Sequence, residues 1–155
     1  METDEINLIL SNIFKRSLVN FLGVYPSDSI PSQSNINAFV PCCYVANTDP
    51  IGRKGTHWVA VYQPNPRSLE FFDSFGAHPN DYGFHFHKFT ITHHNTIPVQ
   101  SLLSDVCGHY CIYYLYHRSI GIPMHSIIAK LKSLPHSKSD TLVASFIQRL
   151  RNEMK

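Results

Sequence analysis

The stretch THWVAVYQPNPRSLEFFDS, residues 56–74, decides the fold of this chain. Its first part, 56–63, alternates in polarity and is rich in β-branched and aromatic residues, which is typical of a strand. PNPR, residues 64–67, forms a turn, and residues 68–74 return as a second strand. We therefore predict a β-hairpin, in which the start of the first strand lies beside the end of the second.

His57 stands at the start of the first strand and Asp73 at the end of the second. The hairpin therefore predicts that the two side chains meet at one edge of the sheet. A carboxylate in that position can orient an imidazole and stabilise its protonated form. Each residue also has an ordinary explanation, because a strand histidine can make a structural hydrogen bond and Asp73 can open a turn with Ser74.

The segments around the hairpin predict helices on both sides of a block of strands. Apolar residues recur at helical spacing from Ile6 to Phe21, and a loop is predicted from Phe21 to Asn35. The other predicted elements are strands at 37–47 and 84–94, a turn at 49–55, and helices at 107–119, at 124–134 and from 139 or 140 to 154. This order predicts an α+β fold, with a mainly antiparallel sheet flanked by helices, in a single domain, 1–155.

The composition indicates a folded chain outside membranes. It is 43% hydrophobic and 15% charged, and no apolar run approaches the ~20 residues of a membrane span. The acidic N-terminal segment METDEINLIL does not resemble a secretory signal, so we predict a protein that is not secreted. The net charge of +2 permits contact with DNA without requiring it. The four cysteines do not form a disulfide pattern and are expected to be reduced; they are Cys42, Cys43, Cys107 and Cys111.

Cys107 lies where a polar loop becomes an apolar helix, in the stretch QSLLSDVCGHYC, residues 100–111. Unpaired N–H groups and the dipole at a helix N-terminus favour the thiolate, and an adjacent imidazolium lowers the thiol pKa further. Gly108 leaves room beside the sulfur, and the Gln100 amide with nearby backbone N–H groups can bind an oxyanion. A candidate cysteine hydrolase site therefore consists of His57, Asp73, Cys107 and Gln100.

Two other interpretations of these residues remain open. A single cysteine is most often a buried apolar residue, so the chain can also be a binding module without activity, whose thiol would be unperturbed. A metal site is the second alternative, with ligands drawn from His85, His87, His93, His94, Cys107 and Cys111. Zinc sites show two closely spaced ligand pairs, and no matching second pair is evident, so we predict no metal.

Taken in order, GTHWVAVY, FFDSFG, Gln100 and DVCGHYC resemble the motifs of the adenovirus maturation protease (adenain) family and its relatives in Polinton/Maverick elements and large DNA viruses. More distantly they resemble the SUMO and ubiquitin-like-protein proteases. The family pattern is Gly-Val-His-Trp, a Phe-Glu-Pro-Phe-Gly-type acid motif, Gln, and Cys-Gly-x-x-Cys. FLGVYPSDSIP and PNPRS also resemble family segments, so the resemblance extends from Phe21 to Tyr116.

The resemblance implies a papain-like cysteine protease of the adenain and ubiquitin-like-protease type. It implies Cys107 as nucleophile, His57 as general base and acid, Asp73 as the carboxylate that orients His57, and Gln100 with the Cys107 amide as oxyanion donors. The substrate groove would be lined by Trp58, Gly55 and Gly108, and would accept small residues, commonly glycine, before the cut bond. The implied substrates are viral or virus-like capsid and core precursors, in the virion or in the host cytoplasm or nucleus. Cleavage of a ubiquitin- or SUMO-like modifier is the alternative.

The sequence departs from the adenovirus pattern at three points. Asp73 replaces a glutamate, and Ser74 replaces a proline. The adenovirus enzyme is activated by a peptide held through a disulfide to a cysteine between the acid and the Gln, and this chain has no cysteine between Cys43 and Cys107. We therefore expect no disulfide-linked activator and no required cofactor. Activation by DNA or by a peptide held in another way stays open, and we expect a monomer.

Overall fold

The computed structural model describes residues 1–49, 52, 56–88 and 90–155, so most of the predicted turn at 49–55 lies outside it. The elements are α1 (Thr3–Phe14), β1 (Asn20–Tyr25), α2 (Gln33–Ile36), a 3-10 turn (Asn37–Phe39), β2 (Cys42–Asn47), β3 (Trp58–Asn65), β4 (Ser68–Phe72), a second 3-10 turn (Pro79–Tyr82), β5 (Ile91–His94), α3 (Cys107–Ser119), α4 (Met124–Lys132) and α5 (His136–Glu153). Within the described ranges, no helix is both long and apolar enough to cross a membrane.

The five strands form one sheet in the order β1-β2-β3-β4-β5. The predicted hairpin is confirmed: β3 and β4 are antiparallel, with Ala60 opposite Phe72 and Asn65 opposite Ser68. β2 is antiparallel to β3, whereas β1 pairs with β2 and β5 with β4 in parallel. The α+β class is thus confirmed, with a mostly antiparallel sheet flanked by helices, and both edge strands add parallel pairings.

Both faces of the sheet are covered, and alternate residues of each strand supply the two cores. One face packs against the four long helices α1, α3, α4 and α5 through Cys43, Val45, Ala60, Tyr62 and Phe72. The other face lies under α2 and the segment 82–86 through Cys42, Tyr44, Val59, Val61 and Phe71. Cys42 and Cys43 thus lie on opposite faces of the sheet, and both are buried because both faces are covered.

Helix α3 has the predicted bounds and packs across β3. Gly121, with φ +89°, ends it, and its N–H donates to the Arg118 carbonyl at 3.0 Å. Near this end, Arg118 donates to both carboxylate oxygens of Glu70, at 2.8 and 3.1 Å, and the Tyr114 hydroxyl donates to the same group. Glu70 is on β4, so this cluster fixes α3 against the strand that leads to Asp73.

Two predictions near the N-terminus are wrong. The first helix ends at Phe14, not at Phe21, and the predicted loop 21–35 contains most of strand β1. Gly23 suggested a break, but its φ of +131° accompanies a register shift between Phe21 and Val24, so the residue marks a bulge within the strand.

Three other predicted elements have different bounds. Among the described residues of the segment 84–94, the last four form a strand, and Phe84 and Phe86 instead pack on Phe71, with ring centroids 5.7 and 6.2 Å away. β2 begins at Cys42 instead of residue 37. α5 begins at His136 instead of residue 139 or 140, and the Ser139 hydroxyl donates to the Leu131 carbonyl at 2.7 Å from inside the helix.

We expect Glu70→Ala to lower the free energy of unfolding by about 2–4 kcal/mol, because it leaves the Arg118 guanidinium, only 13% exposed, without its carboxylate. Glu5→Ala is the matched control. It removes the Arg151 ion pair, whose side chains are 35% exposed, and should cost about 0–1 kcal/mol. Urea unfolding measures both, and equal losses would contradict the assigned role of Glu70.

Candidate active site

The hairpin brings His57 and Asp73 together at one edge of the sheet. His57 directly precedes β3, and Asp73 directly follows β4. The His57 Nε2 and Asp73 Oδ1 atoms are 2.6 Å apart, and both residues are buried. This distance is that of a short, charge-assisted hydrogen bond.

The Asp73 carboxylate accepts four hydrogen bonds. Oδ1 accepts from His57 and, at 3.0 Å, from the Phe75 N–H. Oδ2 accepts from the Ala77 N–H at 2.9 Å and from the Tyr82 hydroxyl at 2.8 Å. A buried carboxylate would otherwise be expensive to ionise, so these donors are what allow Asp73 to remain charged in the interior.

Cys107 is the first residue of α3, and its thiol contacts the imidazole of His57. Because Nε2 of His57 is taken by Asp73, Nδ1 is the nitrogen left for the sulfur. Nδ1 is buried and makes no hydrogen bond of ordinary geometry to any described residue. The thiol and imidazole are thus in contact without an aligned hydrogen bond, which is common for catalytic pairs before substrate binds.

The three groups shift one another's pKa values. Burial alone would raise the pKa of the Cys107 thiol, but the contact with His57 and the backbone N–H groups of Trp58 and Gly108 outweigh it, so the pKa is lowered. Burial lowers the pKa of His57, but the hydrogen bond to Asp73 and the nearby charges of Asp73 and Cys107 raise it to about 9. Burial would raise the pKa of Asp73, and His57 with the Phe75 and Ala77 amides brings it below its usual value. The arrangement therefore favours a thiolate beside an imidazolium.

The pKa values of the other three thiols are raised, not lowered. Burial raises the pKa of Cys42 to about 11. It also raises the pKa values of Cys43 and Cys111 well above the ordinary thiol value. Cys107 is therefore the one thiol of the four that its surroundings activate.

Two residues that sequence reasoning missed hold Asp73. Tyr82 donates to its carboxylate, and the Asn95 side chain accepts from the Asp73 N–H at 3.0 Å and donates to the Asp73 carbonyl. The Asn95 side chain thus pairs with both backbone polar groups of Asp73, in the way that a neighbouring strand pairs with a residue of a sheet. A polar residue directly after the strand segment 91–94 was the only available signal, and the polarity pattern could not show that Asn95 is buried.

Gly76 closes the turn that begins at Asp73, with its N–H 2.9 Å from the Asp73 carbonyl. Its φ is +71°, and a Cβ there would lie 2.8 Å from the Ile97 carbonyl carbon and 2.9 Å from the Pro98 nitrogen. Both contacts are with backbone, which cannot move aside easily. Only glycine fits this position, and the acid loop can therefore pack directly on the segment 96–98.

Gln100 is buried and connected to the acid loop. Its Oε1 accepts from the Ser74 hydroxyl at 2.6 Å, and its backbone N–H donates to the Ser74 carbonyl. Its Nε2 lies 2.9 Å from the Ser104 carbonyl and 3.1 Å from the Ser104 hydroxyl. Both amide hydrogens are therefore engaged with Ser104, and the role of oxyanion donor stays a prediction for Gln100.

The three predicted groove residues are placed differently from one another. Trp58 is buried in the helix-facing core, and its backbone N–H faces the Cys107 sulfur. A Cβ on Gly108 would lie 3.2 Å from Ile6 and 3.4 Å from Met1, so the space left by Gly108 is filled by the N-terminal segment, and only its amide faces the sulfur. Gly55 lies outside the described residues.

In the described part of the chain, no three His, Cys, Asp or Glu side chains lie close enough to share a metal ion. His78 and His94 do meet, with ring centroids 4.7 Å apart, but the His78 Nδ1 already accepts the Asn80 N–H at 3.1 Å.

The fold is similar to that of several solved structures, although neither a family model nor a curated protein sequence matches the chain. The central domain of an uncharacterised Legionella pneumophila protein, Lpg1148, superposes with a TM-score of 0.57 at 16% identity, over 98% of this chain and 97% of that one. ChlaDub1 of Chlamydia trachomatis, a deubiquitinase, superposes with a TM-score of 0.52 at 14% identity, over 96% of this chain and 76% of that one. The chain thus shares the α+β fold of these two structures, which in ChlaDub1 is a cysteine protease fold.

The pKa of His57 predicts how alkylation of Cys107 depends on pH. Iodoacetate is attracted by the imidazolium and neutral iodoacetamide is not, so the ratio of their rates should fall as pH rises through about 9, where His57 loses its proton. We define the pH of the half-fall as the ratio midpoint. Asp73→Asn removes the carboxylate that raises the pKa of His57, so the ratio midpoint should drop by about 1–3 units.

Asp105→Asn is the control for this experiment. Asp105 is exposed and two residues from Cys107, so the substitution changes the net charge equally without touching His57. Its ratio midpoint should stay near that of the unaltered chain. An equal drop in both variants would contradict the assigned His57–Asp73 coupling.

Proposed function

We propose that this chain is a cysteine endopeptidase that cuts after small residues, glycine above all. The observation that supports this most is the Cys107 thiol at the N-terminus of α3, whose pKa is lowered beside an imidazole that a buried carboxylate holds. The cysteine protease fold agrees with it. A binding module without activity predicts an unperturbed thiol, whereas the pKa of Cys107 is lowered.

In the proposed reaction, the Cys107 thiolate attacks the carbonyl carbon of the scissile amide, and a C–S bond forms. The imidazolium of His57 gives its proton to the leaving amine as the C–N bond breaks, which leaves an acyl-enzyme. His57, now neutral, takes a proton from water, which attacks the thioester. The C–S bond then breaks and restores the thiolate beside the imidazolium, and the carboxylic acid product leaves and loses its proton to solvent. Asp73 stabilises the imidazolium in both half-reactions and keeps its own charge.

Oxyanion stabilisation is proposed for the Cys107 amide and the Gln100 side chain. The Gln100 amide is already held in place, because its oxygen accepts from Ser74 and its nitrogen donates twice to Ser104. To reach an oxyanion, one N–H has to exchange its partner. The N–H that points to the Ser104 hydroxyl can be released most easily, because this 3.1 Å hydrogen bond is the longer of the two. The Ser104 hydroxyl loses little by it, because it already donates to the Ser101 carbonyl.

The finer proposal concerns the substrate and the setting. The motif resemblance favours viral or virus-like capsid and core precursors, in the virion or in the host cytoplasm or nucleus, with a monomeric enzyme that DNA or a peptide activates without a disulfide. The likeness to ChlaDub1 favours the second candidate, a protease that removes a ubiquitin-like modifier. Both candidates use the same thiolate chemistry. They differ only in the sequence and the size of the substrate on the N-terminal side of the cut bond.

We expect Cys107→Ala to abolish cleavage, with a loss of at least about 10³-fold, because no other activated thiol is present. Its urea unfolding curve should remain close to that of the unaltered chain, since only one sulfur is removed. In the unaltered protein, iodoacetamide should modify Cys107 well before the other three cysteines, as peptide mass mapping would show. Equal labelling of the four thiols in the folded protein would contradict the proposal.

A substrate panel separates the two candidates. It compares glycine-containing octapeptides, ubiquitin with a C-terminal coumarin amide, and the tetrapeptide of the same C-terminal sequence with the same leaving group, each with and without short duplex DNA. The proposal expects cleavage of the octapeptides, with Cys107→Ala as the blank. A preference of 100-fold or more in kcat/KM for the ubiquitin reagent over its own tetrapeptide would favour the modifier protease instead.

A further inference from the structure

Tyr82 reaches the proposed catalytic centre from a segment that no motif covers. It is the last residue of the 3-10 turn Pro79–Tyr82. Its hydroxyl donates to Asp73 Oδ2 at 2.8 Å, while His57 binds Oδ1 of the same carboxylate at 2.6 Å. The Tyr82 ring centroid is 5.7 Å from that of His57. One side chain thus contacts both the acid and the imidazole.

The turn that carries Tyr82 is well fixed. His78 and Asp81 form a capping box, in which the Asn80 N–H donates to His78 Nδ1 at 3.1 Å and the His78 N–H donates to Asp81 Oδ2 at 3.2 Å. Gly83, with φ +79°, ends the turn, and its N–H donates to the Asn80 carbonyl at 3.0 Å. Tyr82 is therefore held by its own segment and does not depend on Asp73 to stay in place.

The imidazole of His57 has an aromatic ring on more than one side. Phe75, the second residue after the acid, lies 4.8 Å from it between centroids with the planes tilted by 31°, and the Tyr82 ring is tilted by 43°. Aromatic faces attract a cation at such distances and exclude water from it. The groups that titrate or carry charge around His57 are Asp73, Cys107 and the Tyr82 hydroxyl.

Tyr82 acts as a donor throughout the physiological pH range. Burial and the charge of Asp73 raise the pKa of Tyr82, so its hydroxyl keeps its proton. The hydrogen bond draws negative charge away from the side of the carboxylate that faces His57. Asp73 stays in position without it, because the Ala77 and Phe75 amides and the Asn95 side chain still hold the residue.

We propose that Tyr82 is a positioning residue of the active centre, which shares the carboxylate of Asp73 with His57 and limits how tightly the imidazolium is held. The proposal rests on the proposed function. An imidazolium bound too firmly to a carboxylate is a weaker acid toward the leaving amine, so Tyr82 would keep the proton of His57 available for transfer. Its contribution would be electronic, passing through Asp73, and would require no contact with substrate.

The test is the alkylation ratio of iodoacetate to iodoacetamide at Cys107, measured against pH in Tyr82→Phe. This variant keeps the ring and removes only the hydroxyl. Without the hydroxyl, Asp73 Oδ2 has one donor instead of two, and more negative charge stays on the carboxylate. The pKa of His57 and therefore the ratio midpoint should rise, by roughly half a pH unit relative to the unaltered chain. Tyr25→Phe is the matched control, because the Tyr25 hydroxyl makes a comparable 2.7 Å bond, to the Leu22 carbonyl, outside the site.

The outcomes are distinguishable. A rise in Tyr82→Phe that is absent in Tyr25→Phe, at similar unfolding free energies in urea, supports the proposal. An unchanged ratio midpoint overturns it, because a purely structural tyrosine would change stability alone. A fall of the ratio midpoint overturns it too, because the loss of a tyrosine that merely held Asp73 in place would lower the pKa of His57. If the unaltered chain shows no preferential alkylation of Cys107 and no fall of the ratio, the proposed function itself fails.

Discussion

The buried hydrogen bond between Asp73 and His57 is the constraint around which the site is built. A carboxylate with no exposed surface remains ionised only if donors replace the water it has lost. The chain supplies those donors from three directions: the imidazole, the backbone of 75–77 and the hydroxyl of Tyr82. Much of the irregular backbone at 73–83 is explained by that requirement, including the turn in which only Gly76 fits.

The charge of Asp73 influences Cys107 through the imidazole ring of His57, and Asp73 keeps that charge. Asp73 favours imidazolium, imidazolium favours thiolate, and the amides of Trp58 and Gly108 add to that preference. This coupling works only if the helix that bears the sulfur is held in a fixed position against the sheet. α3 meets that need at its far end, where Glu70 binds Arg118 and Tyr114 and thereby ties the helix to the strand that ends at the acid.

Elements that depend on local periodicity could be predicted from the sequence. Elements whose conformation depends on contacts with distant segments could not. The hairpin and the start of α3 follow from alternation, turn residues and a change of polarity, and hairpin geometry then brings His57 near Asp73. The parallel edge strand β1 was missed because a bulge at Gly23 resembles a break. The contacts of Tyr82, Asn95 and Gln100 depend on aperiodic loops, whose conformation is set by tertiary packing and by partners far along the chain.

The contrast among the four thiols governs how peroxide would affect this protein. Oxidants attack thiolates, so the first sulfenic acid would form at Cys107, the position where chemistry is proposed. Its neighbour one helical turn away, Cys111, is fully buried and protonated, and therefore a poor resolving partner. Recovery would depend on a small reductant that diffuses to the sulfur, and without one the lesion would advance to the irreversible acids.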